Sequence, residues 1–327
     1  MLLKSLFVAL ILILFGSTNG SVLGQEESYS FVKSFGGSGN GTGQLKIPHG
    51  VDIDSSGNVY VVDTGNYRIQ KFDSNGNYTT MWGSKGSGEG QFLHGHDIVF
   101  DSSGNIYVTD VLKDTDIARV QKFDSNGNYT TMWGSKGSGE GQFNDMHGID
   151  VDSSGNVYVS DTANNRVQKF DSNGNFITMW GSLNHTNIWG YEGRGEGQFN
   201  GPLGIAIDSS GNVYVADYRN SRIQKFDSNG NYTTMWGSKG SGEGQFKGPE
   251  ASAVDSSGNV YVCDTINNRI QKFDSNGKFI TMWGSEGEGD GQFLHPHGIE
   301  VTPSGDTVYV ADAQRNDVQI FKLSGGS

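Results

Sequence analysis

The sequence predicts an all-β fold, a six-bladed β-propeller, and three observations lead to this prediction. The chain of 327 residues has 50 Gly but only 5 Pro, a balance typical of tight turns rather than disordered linkers. A segment resembling "VYVVD" recurs at spacings of 47 to 56 residues, the length of one propeller blade. Each copy also contains four short segments of β-type alternation. The six copies end at Asp63, Asp110, Asp161, Asp217, Asp264 and Asp312.

The first copy shows how one blade is built. Its strands, named a to d from the channel outwards, are predicted at 50–54, 58–63, 68–73 and 78–83. The turn "DSSGN" joins strand a to b and "DSNGN" joins c to d, because Gly accepts a positive φ and Asp binds its own turn backbone. The blades are predicted near 45–83, 92–134, 143–181, 199–237, 246–284 and 293–323 plus 29–36, all in a single domain spanning 25–327.

The two ends of the chain are predicted to close the ring. The last copy has segments a, b and c but no "TTMWG" strand, whereas "YSFVKSFGG" at 29–37 aligns with "NYTTMWGS". The N-terminal strand therefore completes the sixth blade and removes its exposed edge.

Charge and targeting signals limit the function classes. A net charge of −13 and a pI of about 4.9 disfavour nucleic acid and anionic membranes as partners. Residues 1–24 have the pattern of a secretory signal peptide: Lys4, then an apolar run, then a small-residue cleavage site. We expect a secreted or extracellular monomer, and an uncleaved signal would anchor it to the membrane. Cys263 is the only cysteine, so no disulfide can form within the chain.

The repeats resemble the NHL-repeat family. The unit "GVDIDSSGNVYVVDTGNYRIQKFDSNGNYTTMWGSKGSGEGQF" has that family's Gly-apolar-Asp start, "VYVxD" centre, "NxRIQKF" third strand and "GxGQF" exit, and the resemblance covers nearly all of 29–323. It implies a six-bladed propeller whose upper face, with the b–c and d–a loops, binds a partner or ligand. It does not select a function, because this family includes RNA-binding proteins, sensor ectodomains and an amidating lyase.

Six aligned positions differ between blades just where each innermost strand begins. In a propeller these positions surround the mouth of the central channel, and we call them the mouth ring. The mouth ring consists of His49, His96, His147, Leu203, Glu250 and His297. Since alternate blades lie about 120° apart, His49, His147 and Glu250 are predicted to converge as two His and one carboxylate. The other set, His96, Leu203 and His297, lacks one ligand. Histidines with a purely structural role are the alternative.

A second resemblance favours a metal in this channel. The peptidyl-hydroxyglycine α-amidating lyases hold zinc through His residues in similar "PHG" starts, which match His49 and His147, with Glu250 in place of the third His. The resemblance implies Tyr218 as the counterpart of the catalytic Tyr and Arg219 as a neighbour that binds ligand. The register of the Tyr differs by one residue, and the lyase's Arg positions have no clear equivalents.

Further binding and modification candidates lie in the loops. The entry to blade four is lengthened at 181–199, which indicates a binding loop on the upper face. Its candidate contact residues are His185, Ile188, Trp189 and Tyr191. N-x-Thr sequons, which an exported protein can carry as glycans, begin at Asn40, Asn77, Asn128, Asn184 and Asn231.

Two functions therefore remain open at the level of sequence. The first is an extracellular module that binds protein, peptide or glycan on its upper face. The alternative is a channel-zinc lyase resembling peptidylamidoglycolate lyase. No nucleotide-binding loop or Ser-His-Asp set supports other chemistry.

Overall fold

A computed structural model describes residues 27–113, 115–181 and 193–324. Within these ranges the predicted fold is confirmed: six four-stranded antiparallel sheets form six blades. The innermost strands of successive blades contact one another in a closed circle around a central channel. No helix in the described part of the chain is long and apolar enough to cross a membrane. The predicted signal, 1–24, lies outside the described residues.

The strands follow the predicted order within each blade. Blades one and two contain β2 (Pro48–Ile53), β3 (Val59–Asp63), β4 (Arg68–Phe72), β5 (Tyr78–Trp82), β6 (Gly95–Phe100), β7 (Ile106–Val111), β8 (Ala118–Phe123) and β9 (Tyr129–Trp133). The short pair β10 (Ser135–Lys136) and β11 (Gln142–Phe143) precedes blade three, which contains β12 (Met146–Val151), β13 (Val157–Asp161), β14 (Arg166–Phe170) and β15 (Phe176–Trp180). Blades four and five contain β16 (Pro202–Ile207), β17 (Val213–Asp217), β18 (Arg222–Phe226), β19 (Tyr232–Trp236), β20 (Pro249–Val254), β21 (Val260–Asp264), β22 (Arg269–Phe273) and β23 (Phe279–Trp283). Short 3₁₀ helices at the b–c corners span Thr64–Asn66, Thr162–Asn164, Tyr218–Asn220 and Thr265–Asn267.

The sixth blade is closed by the N-terminal strand, as predicted. β1 (Ser28–Gly36) pairs with β26 (Asp317–Ser324), which is followed inwards by β25 (Thr307–Asp312) and β24 (Pro296–Val301). The Tyr29 ring stacks on Trp283 of blade five, and its hydroxyl donates to the Gly305 carbonyl. Closure therefore uses backbone pairing and side-chain packing together.

The hydrophobic core lies between blades rather than within them. One buried cluster joins Val61 and Phe72 of blade one to Val318 and Ile320 of blade six. Each such cluster also buries side chains of two adjacent sheets, so every blade depends on its neighbours for its apolar contacts.

A buried Asp–Arg pair fixes the b–c corner of five blades. In blade one, Asp63 is fully buried and accepts from Arg68 Nε at 2.7 Å and from the Lys46 amide at 2.7 Å. In blade two the partner is Arg119, nine residues after Asp110 instead of five. The repetition of this pair supports a structural role, because a buried carboxylate is stable only when it is paired.

Candidate functional site

A β-bulge at the start of each inner strand directs the mouth ring into the channel. In blade one Pro48 pairs with Asp63 but Val51 pairs with Val61, so one extra residue is inserted around His49. Equivalent register shifts occur in the inner strands of the other five blades. Bulges bend a strand and redirect its side chains, and they are frequent beside active sites.

Glycines that follow the mouth ring in four of the blades bring the inner strands close together. A Cβ on Gly50 would lie 2.7 Å from the Asp97 Cα, and a Cβ on Gly148 would lie 2.5 Å from the Leu203 carbonyl oxygen. A larger side chain would force these strands apart. The glycines therefore keep the ring narrow enough for its side chains to touch.

The ring gathers side chains of adjacent blades. One group that could hold a metal is His49, His96 and His297, in which one ring nitrogen of each lies within 4.8 Å of the others. The His49 and His297 rings stack with centroids 4.0 Å apart, and the His49 and His96 centroids are 5.0 Å apart. A second group with the same spacing is Glu250, His295 and His297.

This grouping differs from the alternate-blade set that the sequence predicts. His49, His147 and Glu250 do not form one of the close groups among the described residues. His147 packs instead against His96, at 4.1 Å between ring centroids, and its Nε2 lies 3.6 Å from Asp145 Oδ1. Leu203 lines the mouth cavity without a ligand atom. Neighbouring inner strands approach each other closely, so a side chain reaches the adjacent blade before it reaches across the channel.

A second tier of polar residues supports the mouth ring, and the sequence analysis missed it. This outer tier lies two residues before the ring and contributes His94, Asp145 and His295. His94 Nδ1 lies 3.0 Å from His96 Nε2, and His295 Nε2 lies 3.2 Å from Glu250 Oε2. The signal was present in the "HGH" and "HPH" triplets, because residues i and i+2 of an extended strand share one face.

Two imidazole nitrogens of the mouth ring are buried without a hydrogen-bond partner. The Nδ1 atoms of His49 and His96 make no hydrogen bond, and the two residues are only 8% and 7% exposed. Burial, followed by repulsion from neighbouring histidines, holds the pKa of each well below its ordinary value. Burial, with a smaller contribution from the neighbouring histidines, lowers the pKa of His297 to about 4 despite the opposing effect of the Glu250 charge. These imidazoles are therefore neutral near pH 7, the form that binds metal.

The residues present fit a bound transition-metal ion. Three neutral imidazoles leave one open position on a tetrahedral ion such as zinc. His94 contacts the second nitrogen of His96, the arrangement by which an outer residue orients a metal-binding histidine. A cavity of about 40 Å³ beside the ring has room for a few water molecules.

Glu250 and His295 form a polar pair on the other side of the mouth. The contact with Glu250 raises the pKa of His295 despite its burial. Burial alone would raise the pKa of Glu250, but His295 and His297 lower it below its ordinary value. The pair therefore joins an anionic carboxylate to a histidine that binds a proton readily.

Tyr218 and Arg219 occupy the b–c corner of blade four. A Cβ on Gly248 would lie 2.7 Å from the Tyr218 ring, which places this ring beside the start of the inner strand that carries Glu250. Burial and the Glu250 charge raise the pKa of Tyr218. Its hydroxyl is therefore protonated at neutral pH and suited to donate a hydrogen bond. Arg219 is exposed and lines a separate pocket.

The remaining predicted positions are peripheral or lie outside the described residues. His185, Ile188, Trp189, Tyr191 and Asn184 belong to the undescribed part of the blade-four insertion. Asn77, Asn128 and Asn231 are exposed, and each donates through Nδ2 to the Asp that begins its turn. Asn40 is also exposed. Glycosylation at these positions stays a prediction.

Below the mouth ring the channel becomes acidic. A cavity of about 200 Å³ is lined by carboxylates that we call the acidic layer: Asp52, Asp97, Asp150 and Glu300. Burial raises the pKa of Asp97 to about 6 and that of Asp150 to about 7. Burial and the neighbouring carboxylates raise the pKa values of Asp52 and Glu300 well above the ordinary range.

Fold and site together define a six-bladed β-propeller with a histidine-lined channel mouth. Comparison with known families agrees: the NHL repeat profile matches residues 45–72, 143–170 and 199–226, and a "6-bladed beta-propeller" profile matches 253–327. The chain is a six-bladed β-propeller, and NHL repeats are matched in its first, third and fourth blades. Human NHL repeat-containing protein 3 is 38% identical over 58 residues, which is 18% of this chain and 17% of the human protein.

Solved structures share the fold at low sequence identity. A Bacteroides thetaiotaomicron protein of unknown function has a TM-score of 0.68 at 17% identity, covering 91% of this chain and 77% of its own. A Xanthomonas campestris gluconolactonase has a TM-score of 0.62 at 11% identity, and a streptogramin B lyase has 0.61 at 14%; both alignments cover 91% of this chain and 98% of the other. These similarities show the architecture alone.

Proposed function

We propose that this protein is an extracellular binding propeller that takes a peptide, protein or glycan ligand at the upper mouth of its channel. In this proposal a zinc-type ion held by His49, His96 and His297 forms the centre of the site. The observation that carries the proposal is the pair of buried, unpartnered Nδ1 atoms on His49 and His96. Burying a polar nitrogen without a partner is costly, so a ligand that satisfies both would offset the cost.

Export of the protein rests on the pattern of residues 1–24. The absence of disulfides does not weigh against it, because the inter-blade core is extensive and the ring is closed by β1. The acidic net charge favours ligands other than nucleic acid.

A metal titration tests the proposal. Purified protein stripped with a chelator should bind one zinc ion, and His96→Ala should weaken that binding about 100-fold because one of three ligands is lost. His147→Ala is the matched control, since His147 lies in the ring but outside both close groups. Loss of zinc binding in His147→Ala but not in His96→Ala would favour the alternate-blade set instead, and no zinc binding by the native protein would refute the proposal.

A second candidate is a lyase acting on peptidyl-hydroxyglycine, and the Glu250–His295 pair favours it. When bound, the metal would supply polarisation of the substrate's hydroxyl oxygen. Glu250 and His295 would take the hydroxyl proton and return it to the amide nitrogen as the C–N bond breaks, giving glyoxylate and the peptide amide. Tyr218, being protonated, would donate a hydrogen bond rather than act as a base.

The lyase candidate has a direct assay. Zinc-loaded protein should release glyoxylate from a peptidyl-hydroxyglycine, and Glu250→Gln should reduce the rate at least 100-fold while zinc is retained on His49, His96 and His297. Zinc-loaded protein that releases no glyoxylate would leave the binding function as the sole proposal.

A further inference from the structure

A basic pocket lies on the fourth blade, apart from the mouth ring. Its volume is about 350 Å³, and no carboxylate is among the described residues that line it. The pocket is lined by Arg194, Arg219, Asn220, Ser221, Arg222 and Lys239. In a chain of net charge −13 this is a local reversal of charge. We propose that this basic pocket binds an oxyanion group, a carboxylate, phosphate or sulfate, carried by a small ligand.

Three of the lining residues depart from the repeat. Arg194 occupies a position at which the other copies have no basic residue, namely Asn40, Ser87, Ser138, Ser241 and Glu288. At the position equivalent to Arg219, the four other blades with the same corner have Gly65, Ala163, Ile266 and Gln314. Ser221 replaces a larger Tyr67, Asn165, Asn268 or Asn316. Since those blades fold without two arginines here, folding does not require the pair.

Other lining residues form the fixed wall of the pocket. Arg222 donates through Nε to Asp217 at 2.7 Å and through Nη2 to the carbonyls of Gly195 and Gln198. Asn220 donates to Asp217 and to the Gly193 carbonyl. These contacts recur in other blades, as in the bonds of Arg166 to Asp161 and to the Gly139 and Gln142 carbonyls. The recurring residues therefore supply a rigid frame.

Exposed cations surround that frame, and two of them, Arg194 and Arg219, have no basic counterpart at the equivalent positions of the other blades. Arg194 belongs to the loop before blade four, Arg219 to its b–c corner and Lys239 to the loop after it, and all three are exposed. Guanidinium groups bind planar or tetrahedral oxyanions through two hydrogen bonds at once. The smaller Ser221 leaves space at the pocket wall. Three cations from three separate segments, all lining one cavity, match an oxyanion better than any neutral ligand.

The pocket can be tested by calorimetric titration with inorganic phosphate, sulfate and acetate, using chloride at equal ionic strength as the reference. We expect saturable binding of at least one oxyanion, weakened about tenfold by Arg194→Ser or Arg219→Ala and abolished by the double variant. Arg194→Ser introduces the residue of three other copies, and Arg219→Ala that of blade three, so both variants should fold. Binding of phosphate or sulfate but not acetate would indicate a tetrahedral group, and acetate binding a carboxylate.

Two controls keep this test separate from the proposed metal site. Lys136→Ala removes the same charge at the position equivalent to Lys239 in another loop, and it should leave oxyanion binding intact. His96→Ala should also leave it intact, whether or not the mouth ring binds zinc. Binding that is absent, that falls equally in Lys136→Ala, or that is lost in His96→Ala would overturn the proposal.

Discussion

The mouth ring and the acidic layer occupy the same inner strands, yet their polar atoms differ in hydrogen bonding. Each of the three aspartates in the acidic layer accepts two backbone amides. Asp52 accepts from Ile53 and from Phe100 of the next blade, and Asp150 accepts from Val151 and from Ile207 of the next blade. In the mouth ring, by contrast, the Nδ1 atoms of His49 and His96 have no partner.

This difference separates a structural role from a ligand-binding one better than burial or charge does. The aspartates are anchored by bonds that connect neighbouring blades, so the native fold already uses them. The histidines are held in place by packing while their nitrogens stay unused. Buried polar atoms are normally satisfied in folded proteins, so each exception needs an explanation. The unpartnered Nε1 atoms of the tryptophans recur in five blades and belong to the repeat, whereas those of His49 and His96 lie together at the channel mouth.

The largest expected effect comes from removing one aspartate of the acidic layer. Asp150→Ala leaves the Val151 and Ile207 amides without their acceptor, and we expect it to lower the free energy of unfolding by about 2–4 kcal/mol. Urea denaturation followed by tryptophan fluorescence measures this change. His147→Ala, in the mouth ring on the same strand, should cost less than about 1 kcal/mol. Equal costs for the two variants would contradict the division of roles.

A smaller effect is expected in the pH dependence of stability, measured on metal-free protein. The pKa of His297 is about 4 in the folded protein against about 6.5 unfolded, so its contribution is lost as the pH falls from about 6.5 to 4. The pKa of Asp150 is raised to about 7, so its contribution declines as the pH rises from about 4 to 7. The two groups oppose each other over the same interval.

Replacing His297 or Asp150 should therefore change the slope of the free energy of unfolding against pH, and the two replacements should change it in opposite directions. His297→Ala should reduce the loss of stability between pH 6.5 and 4.5 by about 1–2 kcal/mol, whereas Asp150→Asn should make that loss steeper. Unfolding free energies from urea titrations at several pH values give both slopes. Parallel curves for native protein and both variants would show that neither group titrates as described.

The repeat made the architecture predictable from sequence, down to the strand that closes the ring. The position of the mouth ring was equally predictable, because aligning the six copies shows that the residue at the start of the inner strand differs between blades and is polar in five of them. Which of its side chains lie close together could not be predicted from the sequence. A 120° symmetry argument ignores the close approach of neighbouring inner strands at Gly50, which brings side chains of adjacent blades together.

Residues outside the repeated pattern were harder to find. His94 and His295 lie two residues before the mouth ring, so an alignment of the mouth-ring position alone does not include them. Their contacts with His96 and Glu250 depend on the face of the strand that each side chain occupies. The alternation of side chains along an extended strand predicts that face only when the first residue of the strand is known.

X-ray absorption spectroscopy at the zinc edge, on protein loaded with one equivalent of zinc, tests the central claim most directly. We predict three imidazole nitrogens at about 2.0–2.1 Å with a water-derived oxygen completing the shell, and loss of one nitrogen in His96→Ala but not in His147→Ala. A spectrum with two imidazoles and a carboxylate that loses a nitrogen in His147→Ala would contradict the adjacent-blade site.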